Sequence, residues 1–172
     1  MAWSGYGHTL GAMHRGVEHR GETGHETDAR LPFAMPRTLR QLCHAERVIN
    51  DAGLAFLSER HLATLSTLGR DGRIHAVPVG MTYRDGVVRV IGSGGTQKFV
   101  NAARAGRATV STVDGARWLS FEGVARVRDE PEAVALAVQM YAERYRQPRE
   151  NPRRVVLEIA VDRVLGSPAL RS

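Results

Sequence analysis

The chain has 172 residues, 42% of them hydrophobic and 24% charged, which is an ordinary composition for one globular domain. No apolar run approaches the ~18 residues of a transmembrane helix, and the first residues lack an apolar leader, so a cytoplasmic protein is expected. The net charge of +6 suggests an anionic ligand or a nucleic acid. Because the basic residues are scattered rather than clustered, an anionic cofactor or substrate is favoured over nucleic acid.

Residues 1–46 differ in composition from the rest of the chain. They are rich in glycine and histidine and show no apolar periodicity, which predicts a flexible tail followed by a domain over residues 47–172. The histidines lack the close spacing of metal ligands, so no metal site is predicted. Cys43 is the only cysteine and therefore forms no internal disulfide.

The domain is predicted to begin with a helix that Asn50 or Asp51 caps and that ends at Leu57. The elements expected after it are strands at 61–68, 73–83 and 87–91, a helix at 96–105, strands at 107–113 and 118–127, a helix at 131–145 and a strand at 155–164. Pro78 places the second strand at a sheet edge or a bulge. Short hairpin links favour antiparallel pairing, and six such strands can close into a small barrel. The predicted fold is therefore α+β.

The stretch from Val90 to Gly106 is the most informative for function. A strand runs into the turn Gly92-Ser93-Gly94-Gly95 and then opens a helix, whose N-terminal N–H groups and dipole favour an anion. Thr96 and Gln97 add hydrogen-bond donors. Lys98, the only lysine of the chain, lies in the first turn. The pattern indicates a phosphate site, with an ordinary strand-to-helix connection as the alternative; neither a Walker loop nor a Rossmann fingerprint is present.

Two further stretches carry candidate residues. Trp118, near the start of a strand, either stacks on a heterocycle or belongs to the core or an interface. The arginine-rich loop that follows the last helix either binds carboxylates or is a solvated loop. The sequence suggests no Ser-His-Asp set, no paired carboxylates near the glycine turn and no metal motif. No catalytic side chain is therefore assigned, and a bound cofactor is expected to supply the chemistry.

Five segments of the chain resemble those of the split-barrel flavin/deazaflavin oxidoreductases related to pyridoxamine 5′-phosphate oxidase. They are FLSERHLATLSTL, VPVGMTY, VIGSGGTQKFVNAARAG, DGARWLSFEG and RYRQPRENPRRVVLEI. Within that superfamily the resemblance is closest to the F420-dependent biliverdin reductases, and it covers roughly residues 51–170. It implies a six-stranded antiparallel split β-barrel with flanking helices, which forms a homodimer with two cofactor sites at the subunit interface.

The resemblance also implies roles for individual residues. The cofactor phosphate and its adjoining chain would be held by Ser93, Gly94, Gly95, Gln97, Lys98 and Asn101. The tricyclic ring would be lined by the backbone of Pro78, Val79 and Gly80, and the partner subunit would contribute Trp118, Leu119 and Ser120. Arg144 and Arg146 are candidates for substrate propionates or for the polyglutamate tail of the cofactor.

The chemistry implied by the resemblance is hydride transfer from reduced coenzyme F420 to an organic acceptor, with biliverdin the expected acceptor. An FMN-dependent oxidoreductase stays open, because a phosphate site by itself does not distinguish FMN from F420. Two further functions stay open as well: a cofactor- or tetrapyrrole-binding protein without turnover, and a nucleic-acid binder.

Overall fold

A computed structural model describes residues 48–172; the predicted tail at 1–46 lies outside the described residues. The elements in chain order are helix α1 (Asp51–Ser58), strands β1 (Ala63–Leu68), β2 (Ile74–Val79), β3 (Thr82–Arg84) and β4 (Val87–Ser93), helix α2 (Gln97–Ala105), strands β5 (Arg107–Asp114) and β6 (Arg117–Arg128), helix α3 (Pro131–Arg144), strand β7 (Arg154–Gly166) and a 3-10 turn (Pro168–Leu170). Among residues 48–172, no helix is long and apolar enough to cross a membrane.

The helix at the start of the domain is tied to the C-terminal turn. Asn50 caps α1, its Oδ1 accepting from the Gly53 N–H at 2.9 Å. Its Nδ2 donates to the carbonyls of Ala169 and Arg171, both at 3.1 Å. Gly53 packs so closely on the turn that a Cβ there would collide with the Leu170 carbonyl. One side chain therefore caps the helix and anchors the last residues of the chain.

The strands form one antiparallel sheet in the order β2-β1-β5-β6-β7-β4-β3. This confirms the α+β class, but the prediction of six strands in a closed barrel is wrong. The expected strand at 73–83 divides at Gly80 and Met81 into β2 and β3, which occupy opposite edges of a seven-stranded sheet that does not close. Since Val79 and Thr82 are three residues apart, their Cα atoms lie within about 11 Å, so the sheet curls until its edges approach at this crossover.

The core fills the inside of the curled sheet, where strand residues alternate between buried and exposed. Its largest fully buried side chains include Phe56, Phe99 and Phe121. Phe99 fixes α2 against the sheet, because a Cβ at Gly92 would come within 2.7 Å of its ring. The glycine turn between β4 and α2 therefore lies between two elements that the core holds in place.

Candidate functional site

The glycine turn is held against the start of β7. The Gly94 N–H donates to the Arg153 carbonyl at 2.8 Å. The Asn151 amide donates to the Ser93 hydroxyl at 2.8 Å. Gly95 adopts a φ of 79°, in the left-handed region where a side chain would be strained. The predicted turn is therefore a defined structure, and Asn151, which sequence reasoning missed, belongs to it.

Helix α2 begins without a side-chain cap. Thr96 is the N-cap residue, but its hydroxyl donates to the Ser93 carbonyl at 3.0 Å instead of accepting from the helix. The first N–H groups of an α-helix have no partner within the helix, and among residues 48–172 those of Gln97 and Lys98 have no hydrogen-bond acceptor, so both can bind an anion.

Lys98 adds a full charge to this corner. Its Nζ lies 3.5 Å from the Thr96 hydroxyl and 5.1 Å from the centre of the Phe99 ring. No carboxylate within residues 48–172 forms an ion pair with it. An unpaired ammonium beside an uncapped helix start, with a glycine turn that lets a ligand approach, fits a phosphate group.

Gln97 and Asn101 form a different part of the helix surface. Asn101 is buried; its Oδ1 accepts from the Gln97 amide at 2.7 Å and its Nδ2 donates to the Thr67 hydroxyl at 3.3 Å. Both residues line a cavity of about 440 Å³ between α2 and the β1–β2 turn. Ser93 and Lys98 are not among the residues that line it, so the predicted phosphate-binding residues divide between two neighbouring surfaces.

The crossover from β2 to β3 holds the residues expected to line a ring. Pro78 is exposed on the edge strand, which agrees with its lack of an N–H donor, while Val79 is buried. A Cβ at Gly80 would come within 2.6 Å of the Tyr141 ring, so only glycine lets α3 pack this closely. The segment therefore exposes Pro78 and packs against α3 at Gly80.

The end of α3 fixes the crossover through hydrogen bonds. The Tyr145 hydroxyl accepts from the Met81 N–H at 3.2 Å and donates to the His61 carbonyl at 2.7 Å. Arg144 donates from Nη1 to the Met81 carbonyl at 2.5 Å and from Nε to the Glu59 carbonyl at 2.9 Å. The two side chains thus hold three backbone carbonyls around the crossover.

Burial changes the pKa of both side chains that hold the crossover, Tyr145 and Arg144. Loss of solvent raises the pKa of the Tyr145 hydroxyl, and the same loss lowers the pKa of the Arg144 guanidinium. Tyr145 therefore keeps its proton at neutral pH and remains a donor. Sequence reasoning missed Tyr141 and Tyr145 as site residues, although their i, i+4 spacing, with ring centres 4.8 Å apart, predicts that they share one helix face.

The three residues expected from the partner subunit have different surroundings. Trp118 is 40% exposed, whereas Leu119 is fully buried in the core. Ser120 is buried, and its hydroxyl lies 2.8 Å from the Ser111 hydroxyl. Trp118 alone of the three offers a large side chain to a ligand or a second subunit, while Leu119 offers only its backbone.

Arg144 and Arg146 are two residues apart but do not share a cavity. Arg144 lines a cavity of about 180 Å³ beside Thr82 and Glu143. Arg146 lines a cavity of about 520 Å³ formed by the loop between α3 and β7. The structure therefore separates the two predicted substrate-binding arginines.

One group of side chains has the composition of a metal site. Potential ligand atoms of Glu59, His61 and Asp114 lie within 4.8 Å of one another. Arg117 already occupies this cluster, with Nη2 3.1 Å from Glu59 and 2.6 Å from Asp114. Its hydrogen bond is the main reason that the pKa of the Glu59 carboxyl lies below its usual value. The two carboxylates thus share one guanidinium, and this cluster is an ion-pair network on the surface.

Comparison with known proteins gives concordant results. The family model described as pyridoxamine 5′-phosphate oxidase matches residues 49–167. A curated relative from Mycobacterium tuberculosis (strain CDC 1551 / Oshkosh), named F420H(2)-dependent biliverdin reductase, is 56% identical over 124 residues, which are 71% of this chain and 90% of the relative.

Solved structures share the fold. A conserved hypothetical protein from Mycobacterium tuberculosis is 30% identical with a TM-score of 0.60, over 71% of this chain and 86% of that chain. A structure described as an F420 reductase is 18% identical with a TM-score of 0.58, over 68% of this chain and 98% of that chain. At that identity the second comparison concerns the fold alone.

Proposed function

Because the chain belongs to the pyridoxamine 5′-phosphate oxidase family, with a match that spans the entire sheet, we propose that it is an F420H2-dependent reductase whose acceptor is biliverdin. The curated relative, named for this cofactor and this acceptor, supports the activity at 56% identity. That name also favours F420 over FMN as the cofactor. The product would be bilirubin, and the cytoplasm is the proposed location.

The observation that carries the proposal is the uncapped start of α2 with the unpaired Lys98 beside it. We assign the cofactor phosphate to this corner, where N–H groups, the Ser93 hydroxyl and the Lys98 ammonium converge on one anion. Gly94 and Gly95 let the phosphate approach the backbone. Gln97 and Asn101 would contact the chain that joins the phosphate to the ring.

The ring is assigned to the crossover segment Pro78–Gly80. Gly80 packs on the rings of Tyr141 and Tyr145, and the next residue, Met81, is held by hydrogen bonds to Arg144 and Tyr145. When bound, reduced F420 supplies the hydride that the acceptor receives. The protein fixes the relative position of the two reactants, and such orientation contributes several powers of ten in rate. The nearby aromatic side chains exclude water from one side of the segment.

A homodimer is part of the proposal, and one face of the sheet supports it. Nine outward-pointing residues of β1, β2 and β5, none of them charged, form a surface that we call the uncharged face: Thr64, Ser66, Leu68, Ile74, Ala76, Pro78, Thr109, Ser111 and Val113. On it, Ile74 and Val113 are 70% and 64% exposed, and Arg107 at its margin is paired with a carboxylate. Exposed apolar side chains on a face without charges are typical of an interface. Pro78 lies on the uncharged face and Trp118 lies beside Val113, so a second subunit there would bring Trp118 to a cofactor site.

The decisive experiment measures oxidation of F420H2 by the purified protein with biliverdin, with FMNH2 as the parallel donor. We expect loss of F420H2 absorbance together with appearance of bilirubin, and no comparable rate with FMNH2. Tight binding of F420 without turnover on biliverdin, quinones or nitroaromatics would instead identify a cofactor-binding protein. Turnover with FMNH2 alone would contradict the cofactor assignment.

A further inference from the structure

The loop between α3 and β7 forms an open cavity of about 520 Å³, and three of its eight lining residues are arginines. Arg146, Arg149 and Arg154 contribute three positive charges, and Glu150 contributes the one negative charge. A cavity of this size accommodates part of a large organic ligand. Its net positive lining selects for anionic groups on that ligand.

The arginines of this cavity have no carboxylate partner. Within residues 48–172, none of Arg146, Arg149 and Arg154 forms an ion pair, although Arg154 donates a hydrogen bond to the Arg149 carbonyl. Arg107 differs, because its guanidinium makes paired contacts with Asp162, both at 2.9 Å. The guanidinium groups around the cavity therefore retain the capacity to bind carboxylates bidentately.

The cavity adjoins both ends of the proposed cofactor site. Asn151 lines it and donates to the Ser93 hydroxyl of the phosphate corner. Tyr141 lines it too, and its ring packs against Gly80 of the ring-lining segment. A molecule that contacts the ring can therefore extend its side chains past Tyr141 toward the arginines.

We propose that this cavity is the subsite for the carboxylates of the acceptor, with Arg146 and Arg149 as the residues that determine specificity for a dicarboxylate. This inference rests on the proposed function. Biliverdin is a linear tetrapyrrole with two propionates, so the arginines select the acid form of the acceptor over a neutral ester. The subsite acts on acceptor binding and leaves cofactor binding unchanged.

The test compares biliverdin with its dimethyl ester on the wild type and on Arg146→Gln and Arg149→Gln. In each variant, KM for biliverdin is expected to rise about tenfold, the loss typical of one hydrogen-bonded charge pair, with kcat within about twofold. KM for the ester and the Kd of F420 are expected to stay at wild-type values. Arg153→Gln is the matched control, because this exposed arginine of the same loop does not line the cavity.

A binding measurement separates this inference from the proposed activity. Absorbance titration of biliverdin without cofactor is expected to show the same selective loss in the two variants. Equal losses for acid and ester, or unchanged biliverdin binding, would overturn the subsite. A weaker Kd for F420 with unchanged biliverdin affinity would overturn it too and would assign the cavity to the cofactor's carboxylate tail. An inactive wild type that still binds the acid selectively would refute the activity and leave the subsite standing.

Discussion

Lys98, at the start of α2, has no carboxylate partner among residues 48–172. It has a hydroxyl and an aromatic ring as neighbours, and neither neutralises its charge. A cation in this position contributes little to folding, because it also faces the unfavourable positive end of the helix dipole. A bound phosphate would make the position of Lys98 favourable, because it would supply an anion to both the ammonium and the helix N-terminus.

We expect Lys98→Ala to weaken F420 binding about tenfold or more, since it removes a charge-assisted hydrogen bond. The free energy of unfolding should change by less than about 0.5 kcal/mol. Fluorescence titration with F420 and urea unfolding measure the two effects. Arg104→Ala, which removes a cation from the other end of the same helix, is the control. Unchanged F420 affinity in Lys98→Ala would contradict the phosphate assignment.

Gly123 is a position in the sheet where the packing leaves no room for a side chain. It lies at the irregularity in the β6–β7 pairing next to Glu122, and a Cβ there would collide with the Ala160 carbonyl. β-bulges are places where strands bend, and this one helps β6 and β7 to follow the curl of the sheet.

Gly123→Ala should therefore destabilise the protein by about 1–3 kcal/mol, the usual cost of forcing extra atoms into a packed structure. Thermal or urea unfolding measures the change. Val124→Ala, at a partly exposed position on the same strand, serves as the control and should have a small effect. Equal stability of Gly123→Ala and the wild type would show that the backbone opens freely at this point.

At the scale of elements, the end of α3 determines where β2 stops and β3 begins. Tyr145 and Arg144 accept or donate four hydrogen bonds with the backbone of Glu59, His61 and Met81. At the crossover, these bonds take the place of the backbone hydrogen bonds that a continuous strand would have made with a neighbouring strand. The crossover is consequently a fixed part of the proposed site even though it belongs to neither strand.

The stability supplied by Tyr145 should depend on pH in a defined direction. Burial raises the pKa of its hydroxyl above the usual value of 10.0, so the neutral form is favoured in the folded state. The contribution of the neutral hydroxyl to the free energy of unfolding is fully present below about pH 10, and it is lost as the pH rises through the pKa that Tyr145 has in the folded protein. Tyr145→Phe should cost about 1 kcal/mol at neutral pH, and the difference from the wild type should shrink above about pH 10. Urea unfolding of both proteins across this range measures it, and identical pH profiles would contradict the account.

At the scale of the whole molecule, the uncharged face is the feature that the isolated chain does not explain. Exposed Ile74, Leu68 and Val113 lie on it, while neighbouring surfaces carry paired charges such as Arg163 with Glu122. A second copy of the chain would bury this apolar surface and complete the cofactor site.

We expect Ala76→Arg, which places a charge in the middle of the uncharged face, to dissociate the dimer and weaken F420 binding in parallel. Sedimentation velocity and cofactor titration measure the two outcomes. Ala135→Arg, at an exposed position of α3, adds the same charge elsewhere and should leave both properties unchanged. A monomeric wild type would refute the dimer directly.

Deletion of residues 1–46 should leave F420 binding intact, because every residue assigned to the site lies at or after Pro78 in the chain. Titration of the shortened chain beside the full one provides the measurement. A large loss of affinity would show that this segment contributes to the site.

The sequence by itself determined those features that depend on local chemistry. The glycine turn, the helix that follows it and the position of Lys98 at the start of that helix could be predicted, because glycine, helix-start signals and charge act over a few residues. Hairpin turns predicted antiparallel pairing for the same reason. The tertiary structure alone decided that residues 73–83 form two strands on opposite sheet edges, since the break depends on Gly80 meeting Tyr141 and on Tyr145 bonding Met81. It likewise separated Arg144 from Arg146 and placed Asn151 at Ser93. The contacts responsible for the break at Gly80 and for the position of Asn151 join residues that are about 60 positions apart in the sequence. A local sequence pattern does not show which residues so far apart will meet.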